Sequence, residues 1–390
     1  MKKTQWIAVL CFGLLMLGLG ASDALRGIFS PIFQQRYALD ESQLSQLITV
    51  SYIGNLLFLS IGGKLMDTLG RKTVMISMLA IWGFSMLLNV MTDSYLMVLI
   101  SVFLALGAST LLNTSVNLST PLISAQYAGL LVNIFFFIQG IGTSGSQLVL
   151  GRYGFSYGGW RTISMLLLGI AVISLVLFLF TPVKNKTPQI HTHAAEQDVD
   201  SAMPSKAVFW MFAAMMGCYF IAEHSVMNRL MSYCLNEFQM ESSQASLSLS
   251  LFWAGMTIGR LVFAPVVQKW GAKRSIAVFG GIGTVLFTVG CILGQAGVFL
   301  LGISGLAISI LYPTMLLFLQ QLYPVHCVAA KTGVIISVAT IADITFNAGF
   351  GFVLSAVGYR VGFLLLPCFL IVFYVLYHVI GKMTQKQLKN

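Results

Sequence analysis

The sequence predicts an all-α membrane protein with twelve transmembrane helices in two six-helix pseudo-repeats. Three observations support this fold class: the composition, the lengths of the apolar stretches and a weak internal repeat. Only 9% of the 390 residues are charged and 57% are hydrophobic, whereas a soluble domain carries about 25% charged residues. A core surrounded by water could not bury so much apolar surface, so the composition favours a protein that lies in lipid.

Twelve apolar stretches fill almost the whole chain. A helix needs roughly 20 apolar residues to cross a bilayer core, and each stretch is close to that length. In order, the stretches cover residues 6–33, 44–66, 74–91, 95–118, 127–150, 162–180, 207–233, 245–267, 275–293, 298–319, 332–355 and 361–380. They leave no room for a separate soluble domain.

The first stretch follows Lys2 and Lys3, as the apolar part of a secretory signal would. It is longer than the about 7–15 residues of such a signal, and no convincing small-residue cleavage site follows it. We therefore predict that it stays in the protein as the first helix.

The net charge of +10 would suggest nucleic acid as the partner of a soluble protein. Here the basic residues concentrate in alternate loops, with fifteen on the side of the amino terminus and only Arg36, Arg152, Arg161 and Arg360 on the other. Basic loops are retained in the cytoplasm. Both termini are therefore predicted to be cytoplasmic, and no nucleic-acid partner is expected.

The composition changes sharply over residues 182–206, which are polar and contain almost no large apolar side chain. We predict a solvated cytoplasmic linker there, between an amino-terminal half, 1–181, and a carboxyl-terminal half, 207–390. His191 and His193 in the linker are too few for a closed metal site, and the six cysteines have no paired spacing. No metal or other cofactor is expected.

The two halves repeat each other weakly. A shift of 201 positions places Gly54, Gly70 and Lys72 on Gly255, Gly271 and Lys273, and a shift of 204 places Gln139 on Asp343 and Gly154 on Gly358. Internal symmetry between six-helix halves is typical of secondary transporters, whose substrate site lies between the repeats near the bilayer midplane.

The loop between the second and third stretches is unusually charged and reads Gly63-Lys64-Leu65-Met66-Asp67-Thr68-Leu69-Gly70-Arg71-Lys72. It closely resembles the loop signature of the major facilitator superfamily, G-x-L-x-D-x-x-G-R-K, at every motif position. The resemblance implies a conformational gate formed by Gly63, Asp67, Gly70, Arg71 and Lys72. Arg260 is predicted to take part in a matching network in the second half. The alternative is that these residues act only as a topology signal.

Charged and amide side chains inside the stretches are the candidates for binding solute and protons. Placing a charge in hydrocarbon costs at least about 2.5–3.5 kcal/mol of free energy, so charged residues inside a membrane span usually have a function. The candidates are Asp23, Arg26, Asn113, Asn117, Gln139, Glu223, Asn228, Arg229, Asp343 and Asn347.

Two of these candidates are spaced so that they can form an ion pair. Asp23 and Arg26 are three residues apart and can pair on one side of a helix. Equal numbers of acids and arginines in the stretches suggest that they neutralise one another. The alternatives are structural ion pairs for the acids, and for Arg229 a side chain that extends to the outer interface.

Two motifs of enzymes are incomplete. Gly142-Thr143-Ser144-Gly145 resembles a turn of intramembrane serine proteases, but the intramembrane histidines are limited to His224 and His378 and the twelve-helix repeat does not fit that family. The segment from Gly70 to Thr73 lacks the lysine directly after glycine that a phosphate-binding loop requires. We therefore expect no enzyme, and energy from an ion gradient or from the solute's own gradient.

Several segments resemble the fucose permease group of proton-coupled sugar importers. They are 113–117, 139–142, 219–223, 252–260 and 311–314. The resemblance implies proton-coupled uptake, by alternating access, of a small polar solute such as a sugar, with Glu223 favoured over Asp343 as the coupling carboxylate. Asn113 and Asn117 stand in a helix where an acid would be expected, and Gly145 is followed by Ser146 where many drug–proton antiporters have proline.

The missing proline favours uptake over the alternative, export of drugs or metabolites. Remoter alternatives are an intramembrane enzyme and a membrane receptor that transports nothing. The expected partners are a small-molecule substrate, protons and the lipid bilayer, and the protein is expected to act as a monomer in the cytoplasmic membrane.

Overall fold

The computed structural model describes residues 3–124, 127–181, 204–323 and 325–384, and within these it contains helices and no strands. The helices are α1 (Lys3–Arg36), α2 (Glu41–Leu69), α3 (Arg71–Met91), α4 (Tyr95–Ile123), α5 (Ala128–Tyr153), α6 (Tyr157–Leu179), α7 (Lys206–Phe238), α8 (Ser242–Leu293), α9 (Val298–Ile308), α10 (Leu311–Leu322) and α11 (Val325–Met383). Most of the predicted linker, 182–203, lies outside the described residues.

In the described part, nine continuous helical segments are long and apolar enough to cross a membrane. Two of them, Ser242–Leu322 and Lys331–Met383, are 81 and 53 residues long, far beyond the roughly 20 residues of one crossing. The first is interrupted at Gly271 and again by the short 3-10 helix Gly294–Gly297, and the second is interrupted at Gly358. With these breaks the nine segments provide the twelve predicted crossings.

Glycine makes three of the turns possible. Gly70 has φ 83° and ψ 149°, Gly271 has φ 76° and ψ 166°, and Gly358 has φ 78° and ψ 166°. Side chains other than that of glycine are strained in this region. Gly70 and Gly271 are partners in the sequence repeat and share this conformation. Gly154, the repeat partner of Gly358, instead has φ −133° and ψ 19°.

The Cα positions group into two compact units. The first contains α1 to α6 and also Met240–Ser250, where the hydroxyls of Ser242 and Ser250 donate to the carbonyls of Gly151 and Ser144 in α5. The second contains α7 and the chain from Leu251 onwards. The boundaries 181 and 207 of the predicted halves remain predictions.

Within the first unit, α1 packs on α5 and α6, and α2 packs on α4. Glycines allow the main chains to touch: a side chain at Gly20 would collide with the carbonyl of Gln139, and one at Gly54 with the carbonyl of Phe103. In the second unit, a side chain at Gly255 would collide with the main chain at Leu306 in α9. Gly54 and Gly255 are repeat partners, so the repeat extends to helix packing. Small residues at such contacts are typical of membrane helices.

A charged cluster joins three elements at the predicted outer end of the first unit. Asp93, between α3 and α4, accepts hydrogen bonds from Arg161 at 2.9 Å and Arg36 at 3.3 Å. The Tyr157 hydroxyl donates to the carbonyl of Thr92 and lies 3.0 Å from the Tyr37 hydroxyl. Loss of hydration would raise the pKa of Asp93, but Tyr157 and the two arginines together lower it.

We predict that Gly271→Ala and Gly358→Ala destabilise the protein. No atom lies within 4 Å of the added methyl groups, so the cost comes from the backbone alone, about 1–3 kcal/mol. The measurement is the melting temperature of purified protein in detergent. Gly169→Ala is the control, because that helical position also has no atom within 4 Å and its φ is not positive. Equal melting temperatures for all three variants would contradict the assigned backbone conformation.

We predict that Asp93→Asn lowers stability near neutral pH and has no effect in acid. A carboxylate whose pKa is lowered in the folded protein stabilises it above the unfolded pKa, about 3.9, and loses that effect as the pH falls through the folded pKa. The effect should be small because the side chains are exposed. Melting temperatures at pH 7, 5, 4 and 3 test this, with Glu237→Gln as an exposed control. A difference that grows in acid would contradict the prediction.

Candidate functional site

In the first unit, Asp23 and Arg26 line a partly open cavity between α1, α3, α4 and α6. They do not form the predicted ion pair. The carboxylate of Asp23 accepts a hydrogen bond from Ser109 in α4 at 3.1 Å, whereas the guanidinium of Arg26 donates to the hydroxyl of Ser51 in α2 and lies over the ring of Tyr52. The prediction fails because each side chain reaches a partner on a different neighbouring helix, Asp23 on α4 and Arg26 on α2.

The amides of the first unit form a chain between α4 and α5. Asn117 Nδ2 donates to Asn113 Oδ1 at 3.0 Å, and Asn113 Nδ2 donates to Gln139 Oε1 at 2.9 Å. The structure therefore brings these three predicted residues together. The buried Oδ1 of Asn117 has no partner among the described residues, so the chain ends in an acceptor that a polar ligand can use.

In the second unit, Asp343 is held by a histidine. Asp343 Oδ2 lies 2.6 Å from His224 Nδ1, and Asp343 Oδ1 accepts a hydrogen bond from Asn347 Nδ2 at 2.8 Å. The side chain of Asp343 is 1% exposed and that of His224 is 25% exposed. The expectation that arginines neutralise the intramembrane acids is therefore wrong for Asp343. Asn228, another predicted residue, donates to the carbonyl of His224 at 2.7 Å.

His224 is a candidate functional residue that sequence reasoning missed. It entered that reasoning only as a histidine unsuited to a protease. The available signal was its position directly after Glu223 in an apolar stretch, since an ionisable side chain in lipid usually faces protein or water and has a partner.

Glu223 lies in a separate cluster of the second unit. Its side chain interacts with those of Tyr219, one turn earlier in α7, and Tyr312 in α10. Arg260 in α8 interacts with both tyrosines and donates to the carbonyl of Ser309 at 3.3 Å. Arg260 and Glu223, a predicted binding residue, therefore share both tyrosines. The part of Arg260 in a gate network of the second half remains a prediction.

Aromatic rings connect the two clusters of the second unit. The ring of Phe220 stacks on that of His224 at 5.5 Å between centroids and lies 5.6 Å from that of Tyr312. The unit thus presents apolar ring surface together with an arginine, two acids and a histidine.

Arg229 is only 1% exposed. Its guanidinium is enclosed by protein, so the alternative in which this side chain extends to the outer interface is wrong.

The charged loop after α2 is described in part. The surroundings of Gly63 and the side chain of Asp67 lie outside the described part. Arg71 Nη1 donates to the carbonyl of Leu118 at 2.9 Å, and Lys72 Nζ donates to that of Leu179 at 3.3 Å. Leu179 is the last residue of α6, so Lys72 reaches a carbonyl that no further turn of that helix satisfies, and a cation is stabilised there. The gating role of these residues remains a prediction.

A family model described as the Major Facilitator Superfamily matches residues 10–233 and 224–389. The chain belongs to the major facilitator superfamily. It is accordingly an integral multi-pass membrane protein and a secondary transporter, and not an enzyme. Consistent with this, the Ser144 hydroxyl donates to the carbonyl of Gly140 in its own helix.

Two curated relatives span most of this major facilitator protein. The 4-hydroxybenzoate transporter PcaK of Acinetobacter baylyi is 26% identical over 375 residues, which cover 86% of this chain and 81% of that protein. A TsgA homologue of Yersinia enterocolitica is 23% identical over 297 residues, which cover 73% of this chain and 70% of the relative.

Solved structures show the same fold. A bacterial homologue of the human lysosomal transporter Spinster has a TM-score of 0.79 with 13% identity and covers 99% of both chains. The E. coli fucose:proton symporter FucP has a TM-score of 0.63 with 18% identity and covers 97% of this chain and 99% of its own. At these identities the likeness supports the fold alone.

Proposed function

We propose that this transporter imports a small polar solute across the cytoplasmic membrane by alternating access, coupled to protons through the pair Asp343–His224. The observation that carries the proposal is the 2.6 Å contact between a carboxylate that is 1% exposed and a histidine that is 25% exposed. The buried partner is shielded from solvent while the other can exchange a proton.

The charge of the pair explains how it can couple. With Asp343 ionised and His224 neutral, the pair carries one negative charge, and one added proton makes it neutral in total. Buried charge is costly unless it is compensated, so the protonated pair suits an enclosed state better than the unprotonated pair. Asn347 stabilises the carboxylate through its other oxygen. A proton taken up outside and released inside can then drive the solute.

Each unit, taken by itself, contains groups that can hydrogen-bond to a polar solute. The first unit offers the amide chain that ends at Asn117, and the second offers Arg260 and Tyr312. Alternating hydrogen-bond donors and acceptors suit a solute with several hydroxyl groups. Proton symporters of fucose and of D-xylose are among the proteins with this fold.

A small aromatic acid is a second candidate substrate. The ring of Phe220 lies between those of His224 and Tyr312, and Arg260 interacts with Tyr312. Aromatic rings pack on a ring, and an arginine binds a carboxylate with two parallel hydrogen bonds. The relative PcaK is a transporter of such an acid, 4-hydroxybenzoate.

We predict that Asp343→Asn and His224→Gln abolish uphill accumulation driven by a pH gradient but preserve exchange of solute between equal pools. The measurement is solute uptake in proteoliposomes with and without the gradient. Glu223→Gln is the comparison, because Glu223 interacts with Tyr219 and Tyr312 outside the pair, and we expect it to weaken binding while some accumulation remains. Undiminished accumulation in both pair variants would contradict the proposal, and outward accumulation in oriented vesicles would indicate export.

We predict that Arg260→Gln weakens the binding of an aromatic carboxylate much more than the binding of a neutral sugar. Loss of a charge-assisted hydrogen bond costs about 1.5–3 kcal/mol, or roughly a tenfold to hundredfold loss of affinity for an aromatic carboxylate. A neutral sugar should lose much less. Competition by benzoate derivatives and by monosaccharides against the best labelled solute tests this, with Arg260→Lys as a variant that keeps the charge. Equal losses for both classes would mean that Arg260 does not recognise a carboxylate.

A further inference from the structure

The cavity at Asp23 contains buried polar atoms that the protein leaves without partners. The atoms are Arg26 Nε, Asn89 Oδ1 and Trp160 Nε1, which have no hydrogen bond in the described part. All three residues line the cavity, and Asn89 and Trp160 are both only about 2% exposed. An unsatisfied buried polar group is costly, so each one in a folded protein requires an explanation.

The chemistry of these atoms selects the occupant. Arg26 and Trp160 offer N–H donors, whereas Asn89 offers a carbonyl acceptor. Asp23 uses Oδ2 to accept from Ser109, which leaves Oδ1 as a further acceptor. A metal cation would satisfy the acceptors but would oppose Arg26 and the indole N–H. Water both donates and accepts, so it fits the whole set.

The cavity has space for such an occupant. The centre of a water-sized sphere can occupy about 20 Å³ of it, and one bound water needs roughly 10–15 Å³ of such space, so the cavity can hold one or two water molecules. Buried waters typically make about three hydrogen bonds to groups that the protein does not satisfy. Apolar residues, among them Met86 and Ala105, complete the wall, so water inside would be held at the polar side.

We infer that this cavity is a water-binding site in which ordered water molecules bridge Asn89, Trp160 and the charged groups of Asp23 and Arg26. The water explains why Asp23 and Arg26 share one cavity without forming an ion pair. It hydrates both charges inside the first unit, independently of any solute and of the proposed coupling pair.

Radiolytic hydroxyl-radical labelling of the purified full-length protein tests the site, because side chains next to bound water are oxidised fastest. Met86 is 1% exposed and lines the cavity, whereas Met75 is 0% exposed and does not. We expect Met86 to be oxidised several-fold faster than Met75, at the same rate in sodium and in choline buffer. Equal rates for the two methionines would mean a dry cavity, and loss of labelling only in sodium would indicate a cation. Either result overturns the inference.

A variant that fills the cavity, compared with a control variant, tests whether the water lies in the cavity. Ala105→Leu places a larger side chain in the cavity wall and should reduce the labelling of Met86 to that of Met75. Ala80→Leu adds the same side chain at an exposed position of α3 and should change nothing. Fast labelling of Met86 in a folded Ala105→Leu protein would place the water elsewhere and contradict the site.

Discussion

The absence of water from the bilayer core is the constraint on which this structure depends. A polar side chain there must find a partner in the protein or in water that the protein encloses, because lipid offers none. The structure meets this demand inside each unit: amides pair between α4 and α5, and Asp343 pairs with His224 between α11 and α7. The candidate site thus consists of polar side chains that are paired within each unit. Its chemistry depends on which residues form these pairs.

At repeated positions, the two units provide different partners for their intramembrane polar side chains. Gln139 and Asp343 correspond in the sequence repeat, and each lies at a contact between two helices of its own unit. Gln139 bonds to an amide, Asn113, whereas Asp343 bonds to an ionisable ring. The first unit therefore holds neutral hydrogen-bonding groups at this position and the second holds groups that can change charge. This difference supports assigning proton coupling to the second unit.

The twelve crossings could be predicted from the sequence because apolar length alone fixes them. Gly70 and Gly271 were recognisable as equivalent, and their shared backbone conformation confirms this. The chain Asn117–Asn113–Gln139 was only partly predictable, since spacing of four places Asn113 and Asn117 on one face but does not show which helix faces them. For the same reason the pairing of Asp23 with Arg26 was predicted wrongly and His224 was missed: spacing along one helix says nothing about partners on its neighbours.

The connection between α2 and α3 limits how the two helices can move. Leu69 ends one helix, Arg71 begins the next, and only Gly70 lies between them. Consecutive Cα atoms are about 3.8 Å apart, so the facing ends of the two helices can never separate by more than about two such steps. Any rearrangement of the transporter must therefore move these two ends together, with a change of angle between α2 and α3 absorbed at Gly70.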